Sequence, residues 1–187
     1  MMGEGQTKDG VKIFAEVFTP AHVVFFMLLQ PHFINEGEPL RDLDKTIFDP
    51  CCGQGQFGCA EVVLKMFYNC LELPPNERAD AVLRILLSIY GMDIQEKSCR
   101  KARKHFLLTV QDAYKYFFNE DFPAMVEAAV IINNRVRCGN SLEYMLEQVP
   151  PENRDKDYYK NIKDYAKKGR IGKECADKLL NSQISLF

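Results

Sequence analysis

A chain of 187 residues is long enough for one domain with a sizeable core, and short for a catalytic domain joined to a separate recognition domain. Hydrophobic residues at 47% and charged residues at 27% are the proportions of a folded globular protein and argue against disorder over most of the chain. With 24 Lys and Arg against 26 Asp and Glu, the net charge of −2 excludes a strong overall pull on nucleic-acid phosphates.

Residues 1–10 are polar and glycine-containing and read as a flexible lead-in. They hold no apolar core of signal-peptide length, and no later run approaches the roughly 18 apolar residues of a membrane span, so a cytoplasmic location with no membrane contact is expected. Thr19-Pro20 is a helix-start signal, with Thr19 as N-cap, and the apolar run Val23 to Leu29 predicts a helix over 20–30 that stops at Pro31. Residues 35–44 are loop-like. Lys45 to Phe48 is β-prone and runs into Asp49-Pro50-Cys51-Cys52-Gly53-Gln54-Gly55-Gln56, after which Phe57 to Cys70 has helical periodicity. A turn over 71–78 and a helix over 79–88 are followed by a second strand, Ile89 to Ile94. Residues 95–118 are helical with a break left open, 125–133 is ambiguous, Asn134 to Cys138 is a third strand, and Ser141 to Gln148 a short helix. This alternation predicts an α/β domain over 11–150, with a parallel sheet covered by helices.

Beyond it, 151–180 reads as a basic helical extension and 181–187 as a terminal tail. Lys156, Lys160, Lys163, Lys167, Lys168, Arg170 and Lys173 face only Asp157 and Asp164, a local surface for DNA contact or simply a solvated helix face. Seven cysteines without paired spacing suggest neither a disulfide framework nor a zinc site, and are read as reduced thiols, mostly buried.

The chemistry concentrates at two places. Gly53 and Gly55, one residue apart after a buried strand, let the backbone turn tightly and approach a ligand, and such a loop aims N–H groups at a carboxylate from a helix start. Asp93 ends the next strand, where in this class of fold a carboxylate accepts hydrogen bonds from ribose hydroxyls and the following apolar residue, Ile94, covers a face of the adenine. The gap from Gly53 to Asp93 is about twice the customary twenty residues, an excess assigned to the helix between Leu71 and Ser88.

Glu16-Val-Phe-Thr-Pro20, Phe48-Asp-Pro-Cys-Cys-Gly-Gln-Gly-Gln-Phe57, Tyr90-Gly-Met-Asp-Ile94 and Arg137-Cys-Gly-Asn-Ser-Leu142 resemble, in order, signatures of the adenine-N6 DNA methyltransferases of restriction-modification type. The resemblance covers the cofactor half only and implies a truncated Rossmann-like, S-adenosylmethionine-dependent methyltransferase fold with a helical C-terminal extension. It implies that Phe18 and Thr19 lie near the methionine moiety, that the loop of Asp49, Cys51, Gly53, Gly55 and Phe57 wraps its amino-acid end, that Asp93 holds the ribose and Ile94 stacks on adenine. Asn140 and Ser141 would meet the adenine amino group, with Asn140 replacing the aspartate of the family; an amide oxygen still accepts that hydrogen bond.

The (Asp/Asn/Ser)-Pro-Pro-(Tyr/Phe/Trp) tetrad that binds the extruded adenine is absent, and Val149-Pro150-Pro151-Glu152 keeps only its prolines. The resemblance therefore implies a cofactor-binding chain that is inactive or relies on a second methyltransferase subunit for catalysis and DNA recognition. Separately, Gln183-Ile-Ser-Leu-Phe187 resembles the peptide by which bacterial proteins dock on the replication sliding clamp, with Gln183, Leu186 and Phe187 as anchors. The contrasting expectation is a non-enzymatic replication or mobile-element accessory that uses the fold as a scaffold and docks on the clamp through this peptide.

Overall fold

A computed structural model of the chain describes residues 19–148, with side chains up to Met145. The lead-in, Phe18, the proline pair at 150–151, the basic extension with Lys156 to Lys173, and the terminal peptide with Gln183, Leu186 and Phe187 lie outside the described residues. The chain divides into two units, up to Cys138 and from Gly139 onward. No helix among the described residues is long and apolar enough to cross a membrane.

In the first unit, α1 (Ala21–Leu28) is followed by a single turn, α2 (Pro31–Ile34). The helix begins one residue later than its sequence suggests: Pro20 takes the N-cap with an extended ψ of 143°, and Thr19 precedes it. Pro31 opens a new turn instead of only ending the old one, because its missing N–H is harmless at a helix start.

Three short strands, β1 (Ile47–Asp49), β2 (Ile89–Asp93) and β3 (Val136–Cys138), form a parallel sheet in the order β1-β2-β3. Asp49 pairs with Gly91, Gly91 in turn with Val136, and Asp93 with Cys138, so the carboxyl ends of all three strands share one edge of the sheet. This is an α/β architecture compatible with a truncated Rossmann-like sheet.

Each crossover between neighbouring strands carries two helices: α3 (Gln56–Cys70) and α4 (Pro75–Ser88) join β1 to β2, while α5 (Glu96–Phe118) and α6 (Met125–Arg135) join β2 to β3. The long gap from the glycine loop to Asp93 is therefore α4, which starts four residues before the sequence pattern suggests because Pro75 occupies its first turn. α5 runs unbroken for 23 residues, since Cys99, Ala102, Phe106, Val110 and Ala113 recur every three or four positions and all bury. It stops at Asn119 in the left-handed region, φ +57°, whose N–H returns to Lys115 O at 2.9 Å. The ambiguous segment after 124 is helical, and α6 runs into the start of the expected third strand.

β2 is the central strand and touches α3, α4, α5 and α6. The main core gathers there, with Val62, Met66, Ile85, Ile89, Phe106 and Val110 among its buried members. A second cluster of Val24, Leu28, Leu40, Ala60 and Leu64 fastens α1 to α3. In the second unit, α7 (Ser141–Gln148) has its N–H at Leu142 bonded to Asn140 Oδ1 at 3.1 Å, and its N–H at Tyr144 bonded to Asn140 O at 3.0 Å.

Candidate cofactor site

β1 delivers Asp49 to the end of the sheet, where the Asp49 Oδ1 accepts the N–H of Cys51 at 3.0 Å and turns the chain sharply. The loop then fastens to the neighbouring strand: Cys52 N–H donates to Met92 O at 2.9 Å. Gly53, at φ +52°, donates its N–H to Asp93 Oδ2 at 3.1 Å, and Gly55, at φ +84°, donates to Cys52 O at 2.7 Å and forms the N-cap of α3. Both glycines occupy left-handed backbone that side-chain-bearing residues adopt only with strain.

The reasons for the two glycines differ. A Cβ on Gly53 would meet nothing within 4 Å, so the space above it is open to a ligand, whereas one on Gly55 would stand 3.0 Å from Phe106 Cε2 and 3.3 Å from Ala102 Cα. Gly58 is tighter still: its Cβ would come within 2.3 Å of Phe106 Cζ. Gly58, Phe106 and Ala102 support the loop from beneath and were not singled out in the sequence, because the three-residue step from Gly55 to Gly58 acquires meaning only against α5. His105, also unmarked, bonds through Nδ1 to Gln54 O at 2.9 Å; a carbonyl only accepts, so that nitrogen carries the proton.

Asp93 thus faces the glycine loop across the sheet edge, and its other oxygen, Oδ1, accepts the N–H of Gln95 at 2.8 Å. The N-cap of α5 is Gln95, two residues further on, so Asp93 bonds to the residue that opens the helix without capping it; two carboxylate oxygens offer about four acceptor positions and two are used. Ile94 stands next to it with 57% of its surface exposed, the largest apolar side chain at this edge left uncovered. Burial, followed by the neighbouring Asp93 charge, holds the Asp49 carboxyl above the ordinary aspartate range, against the pull of the Cys51 N–H.

The other residues expected at the site have their own surroundings. Phe57 packs against the second core cluster. Thr19 joins Gln54 and Gln56 of the loop around a cavity of about 390 Å³ between α1, α3 and α5, which reaches neither Gly53 nor Asp93 nor Ile94. Cys51 is exposed, and its backbone N–H bonds to Asp49. Asn140 and Ser141 belong to the second unit, where Asn140 caps α7.

Behind the loop, α3 buries two charged residues. Glu61 is 3% exposed, and its Oε2 has no hydrogen-bond partner among the described residues. Burial, then the nearby Asp49 charge, pushes its carboxyl up to about 8, with Lys65 pulling the other way. From the unfolded value near 4.5 to the folded value near 8, the unfolded chain releases a proton that the folded chain retains, so this group lowers stability as pH rises through that window. Glu61→Gln, which stays neutral, is expected to match the wild type near pH 4.5 and exceed it at pH 8.5 by on the order of 2 kcal/mol in urea unfolding. Parallel stability profiles for the two proteins would refute this assignment.

Comparison of the chain with protein-family profiles, with curated proteins and with solved structures gives no match.

Proposed function

We propose that the chain binds S-adenosylmethionine at the carboxyl edge of its sheet, as a cofactor half of adenine-N6 methyltransferase type. The observation that supports this most directly is the 3.1 Å bond from Gly53 N–H to Asp93 Oδ2, which brings the glycine loop and the acidic strand end face to face although 40 residues separate them.

The residues present suit the group. The N-terminus of α3 has no side-chain cap, which leaves its first-turn N–H groups and the positive end of its dipole for the cofactor carboxylate. Asp93 keeps acceptor capacity for the ribose hydroxyls, the open space above Gly53 admits the chain between them, and Ile94 offers an apolar face to the adenine. Bound there, the cofactor supplies a sulfonium methyl group to a nucleophile. The chain's own part is to bind and orient it; a target base needs an acceptor of its amine protons and a stacking partner, which the tetrad supplies in the family and which we do not assign to these residues.

Calorimetric titration of the full chain with S-adenosylmethionine tests the reading. Binding in the micromolar range is expected, with S-adenosylhomocysteine competing; absence of heat at millimolar cofactor would sink it.

A further inference from the structure

We propose that the exposed face of the first half of α5, carried by Lys97, Lys101 and Lys104, is a contact surface for the phosphodiester backbone of a nucleic-acid duplex. The three lysines recur at i, i+4 and i+7, so they lie in one row along the helix, spanning about 10 Å of its axis. All three are exposed, while the opposite face of the same turns, Cys99, Ala102 and Phe106, is buried.

Among the described residues their charge is not compensated. Glu96 is the one carboxylate between residues 96 and 105, and it engages the arginines instead, Arg100 at 3.5 Å and Arg103 at 3.8 Å. Arg103 is held further by a 3.0 Å bond to Val136 O. Among the described residues, Lys97, Lys101 and Lys104 pair with no carboxylate. Like charges one turn apart repel, so the row is relieved by an external anion. A chain of net charge −2 that concentrates unpaired cations in a line fits a linear, densely charged partner, and a duplex carries about one charge per 1.7 Å.

A lipid surface fits less well, because the apolar face that α5 would insert is already spent in the core. The row also has a destination: His105, one turn beyond Lys101, holds the glycine loop through Gln54 O. The surface deepens the methyltransferase reading and rests on it only in the choice of DNA as the probe.

The test is fluorescence anisotropy of a short labelled DNA duplex with the full chain, in the absence of cofactor, from about 50 to 200 mM salt. The variant carrying Lys97→Glu, Lys101→Glu and Lys104→Glu should fold with an unchanged melting temperature, lose about tenfold or more in affinity at low salt, and flatten the slope of log K against log salt by about 3. Equal binding by the variant, no binding by the wild type at low salt, or equally tight binding to polyglutamate or phosphatidylserine vesicles would overturn the proposal. Because no cofactor is added, this failure is separate from failure of the calorimetric test. An Asp93→Ala chain that still binds duplex shows the two surfaces to be independent.

Discussion

Replacing Lys65 with Met is expected to lower the free energy of unfolding by about 3–5 kcal/mol. The side chain is fully buried, and the three N–H groups of its ammonium serve four acceptors, Asp42 O at 3.0 Å, Leu43 O at 3.3 Å, Lys45 O at 2.9 Å and Ser88 Oγ at 2.6 Å, so one hydrogen is shared. The Ser88 hydroxyl in turn donates its own hydrogen bond to Ile85 O at 2.8 Å. One cation therefore gathers the loop that feeds β1, the last turn of α4 and the middle of α3.

Methionine matches the length of the stem but donates nothing, so three carbonyls and a hydroxyl lose their donor, each at a cost of about 1–3 kcal/mol if it stays dry. Burial lowers the Lys65 ammonium to about 8, with Glu61, Asp42 and Asp44 opposing, so part of the stabilisation is offset by the cost of keeping the charge away from water. The four acceptors outweigh that cost at neutral pH. Urea unfolding at pH 7 decides the point: a change below about 1 kcal/mol would mean that water replaces the ammonium without loss.

Asp93→Ala should reduce S-adenosylmethionine affinity about 100-fold or more. In the proposed complex, two charge-assisted hydrogen bonds from ribose hydroxyls would be worth about 1.5–3 kcal/mol each, and both would vanish with the carboxylate. The substitution also releases Gly53 N–H and Gln95 N–H, so the loop loosens as the ligand contact disappears. Asp93→Asn separates the two effects in part, because its one amide oxygen can keep the Gly53 bond while its NH2 turns toward Gln95 N–H and the charge is gone. It should bind with a smaller loss than Asp93→Ala, about tenfold, and melt between Asp93→Ala and the wild type. Calorimetry and thermal melts of both variants check this, and wild-type affinity in Asp93→Ala would show that the carboxylate serves only the loop and the start of α5.

Both predictions turn on groups that differ in how far the sequence revealed them. Asp93 was legible because it follows an apolar strand and precedes a helix, a local order that any reader of the chain can see. Lys65 was not, since a lone lysine in an amphipathic helix ordinarily faces water, and only the return of residues 42–45 across α3 removes it from solvent. Gly58 was hidden in the same way: its need for a missing Cβ exists only where the Phe106 ring arrives from another helix. The lysine row of α5 was visible as spacing, but which side of that helix would be dry was not. For Thr19 the helix-start signal was read one residue early, because Pro20 itself takes the cap.

The sequence by itself determined the alternation of strand and helix, the glycine loop after β1 and the acid at the end of β2. These follow from backbone preferences and side-chain periodicities that act over a few neighbouring residues. Tertiary structure alone decided that Gly53 meets Asp93, that Lys65 meets four acceptors, and that the Thr19 cavity stops short of Asp93. Such contacts depend on which distant surfaces exclude water from one another, and that is a property of the packed chain.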